Sequence, residues 1–211
     1  MIETEWLECT DASRMIAFLL KTATARKVRL FACAWCRHML ADAPPADIPI
    51  LSFVETGERY ADRLASDDVR QAAWETAQQM MEKAVAEQAF ERAAAARDAR
   101  DCVAVGTQRI VGMDGRPVFK RDPYQCHLLR DIFGNPFRPI TVPPAWLEWN
   151  DRIAPKMGKT IYDERAWEQM PMLADALEHA GCSDADFLSH CRQPRPHVRG
   201  CWVVDLVLGR K

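Results

Sequence analysis

From Val69 to about Val105 the chain contains neither glycine nor proline, and no other feature constrains its fold as strongly. Ala, Glu, Gln, Met and Arg dominate this stretch. These residues lose little side-chain freedom in a helix, so the segment reads as the longest helical run of the chain. Ser66 supplies a capping hydroxyl, and Asp67 and Asp68 place carboxylates at the positive end of the helix dipole. Ala73, Ala77, Met80 and Ala84 form a stripe whose small residues admit a close helical neighbour. Large apolar residues are not sustained at heptad spacing, which argues against a coiled-coil rod.

The remaining segments extend the helical pattern. Thr10 and Asp11 can cap a helix carrying Met15, Phe18 and Leu19, and Thr24 can cap a second. There Val28, Phe31, Ala32, Trp35 and Met39 recur at helical spacing and predict one buried stripe, with Cys36 at its border. Ala43-Pro44-Pro45 ends that helix. Asp47 with Pro49 starts the next, whose apolar side is Phe53, Val54, Tyr60, Ala61 and Leu64. Residues 106–122 hold three glycines and an Asp114-Gly115 pair, the mark of a small hairpin or a flexible loop.

Beyond this boundary Leu128, Leu129, Ile132 and Phe133 form a short helix stopped by Gly134-Asn135. Pro136 to Pro144 places four prolines in nine residues, which imposes an extended strap. Helical patterns resume around Trp146 to Trp149, around Ile153 to Trp167, and from Pro171 to the stop at Gly181. Ser183 caps a helix through Cys191. Gly200 to Leu208 reads as a buried helix, with a strand as the alternative. The expected fold is mainly α, a compact multi-helix domain of about seven to nine helices with a proline-rich strap. Its parts are an N-terminal helical region, 1–105, the 106–122 loop or hairpin, and a C-terminal helical region, 123–211, packed with the first as one unit.

Charge and composition narrow the function classes. The 211 residues carry 28 basic and 30 acidic side chains, a balance that disfavours an extended cationic nucleic-acid footprint. The acidic start Met1-Ile-Glu-Thr-Glu-Trp-Leu-Glu lacks the pattern of a secretory signal, and no run approaches the roughly 20 apolar residues of a membrane span. A cytoplasmic protein is expected. In that compartment the eight cysteines are thiols, buried as small hydrophobes or holding a metal.

Several segments together resemble an uncharacterised family of bacterial proteins. They are Glu5-Trp-Leu-Glu-Cys-Thr-Asp11, Arg26-Lys-Val-Arg-Leu-Phe-Ala-Cys33, Leu128-Leu-Arg-Asp-Ile-Phe-Gly-Asn-Pro-Phe-Arg-Pro139, Ile161-Tyr-Asp-Glu-Arg165, Leu173-Ala-Asp-Ala-Leu177 and His197-Val-Arg-Gly-Cys-Trp-Val-Val-Asp205. The resemblance spans both ends of the chain and implies no activity, cofactor or catalytic residue.

Four constellations carry chemistry. Cys33 and Cys36 have zinc-knuckle spacing, and His190, Cys191, His197 and Cys201 add four N/S donors within twelve residues, enough on paper for a zinc site. Against this, Cys33 and Cys36 fall inside a helical pattern rather than on a glycine turn, and Gly200 interrupts the helical turn that would join His197 to Cys201. Cys/His nucleophilic pairs are numerous and unspecific, and Gly-x-Ser-x-Gly, phosphate-loop and His-Glu-x-x-His motifs are absent. Basic residues gather at Arg26, Lys27, Arg29 and Arg37 and again at Arg192, Arg195, Arg199, Arg210 and Lys211, with no binding motif beside them. Finally, Phe137, Arg138, Trp146 and Trp149, within the segment Phe133 to Trp149, are residue types of interaction hot spots, but the preferred reading is a strap across the protein's own core with Phe137, Ile140, Trp146 and Trp149 as plugs. The sequence therefore favours a non-enzymatic interaction or regulatory module with an unidentified protein partner. A thiol- or zinc-dependent protein is the alternative, and an enzyme whose site is assembled only in three dimensions comes third.

Overall fold

Eleven α-helices make up most of the described residues, 1–41, 48–104 and 123–210, of a computed structural model. Among these described residues 73% are helical, nine helices reach seven residues or more, and there is no strand. The mainly α expectation therefore stands. The segment read as a hairpin or loop at 106–122 lies outside the described residues, as does Asp47. No described helix is long and apolar enough to cross a membrane.

Two compact units divide the chain. One is Cys9–Leu128, and the other joins Met1–Glu8 to Leu129–Lys211. The first contains α2 (Ala12–Leu19), α3 (Ala25–Met39), α4 (Ile48–Ala61), α5 (Asp67–Ala86) and α6 (Phe90–Val103). Asp11, Thr24 and Ser66 cap their helices as the sequence indicated, accepting from the amides of Ser13, Lys27 and Val69. Helix α3 buries every residue from Val28 to Cys36 instead of one stripe, because α4 and α6 both pack on it. Met39, placed in that stripe by spacing, is 48% exposed, whereas Cys36 and Leu40 on either side of it are buried. Leu64, likewise expected inside, lies beyond the end of α4 and is exposed.

The run without glycine or proline is not one helix. It breaks at Glu87–Ala89, where Gln88 takes a left-handed φ of +57°, and α6 folds back on α5. Ala77 and Ala84 on α5 and Ala93, Ala96 and Ala99 on α6 are all buried, so the alanine stripe does its expected work of close approach. The basic residues of α3 are spent internally. Arg26 pairs with Asp62 at 2.9 Å, Arg37 grips Glu58 bidentately at 2.8 and 2.9 Å, and Arg29 is buried.

The second unit contains α1 (Glu3–Glu8), the end of α7 (Pro123–Phe133), α8 (Pro144–Glu164), α9 (Met170–His179), α10 (Ala185–Arg192) and α11 (Trp202–Val207). Ile161, Leu173, Leu177, Phe187, Val203 and Val204 form the heart of its core. Residues 134–143 contain no helix, in keeping with their prolines. Helix α8 is broken at Trp149–Arg152, where Asn150, Asp151 and Arg152 have positive φ, so the two helical patterns read around this point are physically distinct. Asp184, not Ser183, caps α10, accepting from the Phe187 amide at 2.9 Å. Gly134 stops α7 at φ +65°. A Cβ there would stand 3.0 Å from the Trp202 ring, so only glycine allows that indole to sit where it does. Within Gly200 to Leu208, Trp202–Val207 is helical, so the helix expected there forms and the strand alternative does not.

Candidate metal centre

Asp131, His190, His197 and Cys201 are all buried, and one ligand atom from each lies within 4.8 Å of the other three. Each arrives by a different local device. Asp131 sits in α7 on the buried face shared with Ile132, and His190 in the last turn of α10. His197 and Cys201 bracket a tight turn in which the Cys201 amide bonds to the Val198 carbonyl and Gly200 is left-handed at φ +93°. The two meet through this turn, not through a turn of helix, with Cys201 Sγ 3.8 Å from His197 Nδ1.

Asp131 is the hub. Its Oδ1 lies 2.7 Å from His197 Nδ1 and 3.2 Å from His190 Nε2, and its Oδ2 accepts from the Val198 amide at 3.0 Å. Burial pushes this carboxyl up, but hydrogen bonds from the two imidazoles outweigh it and hold the pKa down to about 2. His190 Nε2 also lies 3.2 Å from Cys201 Sγ. Burial raises the Cys201 thiol well above its ordinary range, and the Asp131 charge adds to this. Burial likewise lowers His190 despite the neighbouring carboxylate, so its imidazole is neutral at pH 7.

Trp202 decides where the His190 proton sits. An indole nitrogen only donates, and Trp202 Nε1 donates to His190 Nδ1 at 3.0 Å. Neutral His190 therefore carries its proton on Nε2, aimed at Asp131 and Cys201. His197 donates through Nδ1 to Asp131, and its Nε2 is buried with no partner.

The donor set suits zinc. Bond lengths of 2.0–2.3 Å to N, O and S require donor–donor separations of about 3.3–3.6 Å in a tetrahedron. Of the six donor–donor separations, four are 2.7, 3.2, 3.2 and 3.8 Å, within about 0.6 Å of that range, and all six are within 4.8 Å. A cleft of about 260 Å³, with Trp6, Arg130 and Arg195 among its walls, reaches His190 and Trp202.

Of the six residues singled out as metal donors, this tetrad contains His190, His197 and Cys201. Cys191 is buried in the apolar core beside it, where burial pushes its thiol up to about 12. Cys33 and Cys36 belong to the other unit, in company with Cys102. Asp131 was not anticipated, although a carboxylate flanked by Leu128 and Ile132 at helical spacing was the available signal. On the strap, Trp146 packs partly buried against the core with its ring edge-on to Phe187, whereas Trp149 is 38% exposed and stacks on His179. Phe137 is half-buried, and Arg138 is exposed and ion-paired with Glu3 and Asp186.

Comparison with protein-family models, with curated proteins and with solved structures finds no match.

Proposed function

We propose that the unit formed by Met1–Glu8 and Leu129–Lys211 is a zinc-binding domain, and that the protein is a non-enzymatic module organised by that ion. The observation that carries this reading is the convergence of four buried donors of zinc-ligating type from three separate chain segments. Four protein ligands leave no open coordination position, which is the mark of a structural rather than a catalytic site. Asp131 is already ionised and His190 already neutral, so the proton that zinc must displace at the sulfur is that of Cys201. Zinc held by His190 Nε2 and His197 Nδ1 requires each imidazole to carry its proton on the other nitrogen, on His197 Nε2, which is buried without a hydrogen bond, and on His190 Nδ1, where it faces the Trp202 N–H. The ion is therefore held against a local cost, and Trp202 must shift when it binds.

That same contact favours a second reading, in which Trp202, His190, Asp131 and His197 form a metal-free hydrogen-bonded chain that positions α7, α10 and α11. Elemental analysis of the tag-free chain separates the two, together with cobalt(II) reconstitution after chelation. The zinc reading requires about one equivalent of metal and a thiolate-to-cobalt charge-transfer band that disappears in Cys201→Ser. Protein that takes up neither ion, with unchanged thermal stability in excess zinc, refutes it in favour of the second.

A further inference from the structure

The cleft beside His190 lies wholly within the unit that joins Met1–Glu8 to Leu129–Lys211, and of the four metal donors only His190 borders it. Its volume of about 260 Å³ falls just under the range of sites that hold drug-sized molecules, so a fitting occupant is small. The guanidinium groups of Arg130, Arg138 and Arg195 and the carboxylates of Glu3 and Asp186 stand in its walls.

These charges do not balance. Arg138 lies 2.5 Å from Glu3 and 3.7 Å from Asp186, and the Asn135 amide donates to Glu3 at 2.7 Å, so both carboxylates are answered within the wall. Arg130 turns Nε and Nη2 onto the Trp6 carbonyl at 3.2 and 2.8 Å. Arg195 differs from both. It is half-buried, and its side chain has no hydrogen bond and no ion pair among the described residues; only its backbone amide is bonded, to the Gln193 carbonyl. A cation drawn partly out of water with no counter-ion is unfavourable, and an anion beside it offsets that loss.

The wall also offers apolar surface. Leu7 is 52% exposed although it lines the cleft. The Trp202 indole is half-buried, and its N–H is already committed to His190. Gly134, a third lining residue, packs on that ring with no side chain of its own.

We infer that this cleft binds a small organic carboxylate with one negative charge on a flat apolar body. The planar fork of Arg195 matches a carboxylate bidentately. Glu3 and Asp186 repel a second negative charge, which selects against a phosphate dianion. Trp202 and Leu7 supply the surface on which an apolar body rests. The inference does not depend on the zinc reading, because none of the cleft's charges comes from a metal donor.

The test is isothermal titration calorimetry of the full chain with benzoate, with its uncharged isostere benzamide and with inorganic phosphate. Benzoate should bind in about the millimolar range or tighter, and benzamide and phosphate at least about tenfold more weakly. Arg195→Gln should fold as the parent does, since that side chain has no bond within the described fold, and should lose at least about tenfold in benzoate affinity. Ser189→Phe, at an exposed position of the lining, should weaken benzoate binding by bulk while every charge stays in place. Circular dichroism checks that both variants are folded. The absence of benzoate binding, equal affinity for benzoate and benzamide, phosphate binding as tight as benzoate, or parental affinity in either variant overturns the proposal. Chelator-treated protein should bind benzoate unchanged. Loss of binding on chelation would place the carboxylate on the metal, overturning this inference while leaving the zinc reading intact.

Discussion

Replacing Trp202 by Phe separates the metal-free and zinc-bound states of the centre, because the two states make opposite demands on one hydrogen bond. The substitution keeps an aromatic ring against Phe187, where the indole sits edge-on at a centroid distance of 5.2 Å, and removes the donor to His190 Nδ1. Without metal, that nitrogen becomes a buried acceptor with no partner. Such a loss costs about 1–3 kcal/mol, to which the smaller ring adds a packing deficit of up to about 1 kcal/mol. With zinc on Nε2, Nδ1 carries a proton that no longer faces an N–H. Outer-shell partners of metal-bound histidine change affinity by about 10–100-fold, and here removing a misdirected donor should strengthen binding by about tenfold. Urea unfolding of chelator-treated protein measures the first effect, and competition with a chromophoric zinc chelator measures the second. The expected pattern is a less stable metal-free variant that binds zinc more tightly. Weaker zinc binding together with unchanged metal-free stability would refute the assignment of the His190 proton.

Further outcomes are expected. Trp6 is fully buried and donates to the Gly134 carbonyl at 3.0 Å, so Trp6→Ala should lose about 3–5 kcal/mol in urea unfolding, whereas Trp149→Ala should lose less than about 1 kcal/mol. Thiol titration should detect rapid reaction only at half-buried Cys9 in the native chain and at all eight cysteines after denaturation, since the other seven are buried. Zinc uptake followed with a pH indicator should release the Cys201 proton, and affinity should rise with pH, because the raised thiol pKa makes the proton a competitor of the metal. In chelator-treated protein, stability should fall as pH drops below about 6.5, where the unfolded chain protonates His190 more readily than the fold does. As pH falls from about 4 to below 2, Asp131 should contribute a further loss approaching about 2.5 kcal/mol, the equivalent of its depressed pKa, in acid titrations monitored by circular dichroism.

What could be learned from the chain alone follows from how local the controlling forces are. The caps at Asp11, Thr24 and Ser66, the stops at Gly134 and Gly181, the proline-imposed strap and the two helical patterns on either side of Trp149–Arg152 all arise within a few residues of sequence. Periodicity and turn chemistry therefore expose them. His190, His197 and Cys201 were visible as donors because they crowd into one short segment. The break at Gln88 had no glycine or proline to announce it, since antiparallel packing of two alanine faces stabilises a left-handed residue that local propensity disfavours. Burial around the whole of α3 depended on which helices cover it. Asp131 stands about sixty residues before its partners and completes their site only because α7 packs near α10 in the folded unit. The depressed pKa of that carboxyl and the proton position on His190 are likewise set by neighbours distant in sequence. Desolvation and hydrogen bonding across elements, which no spacing encodes, turn scattered donors into a centre.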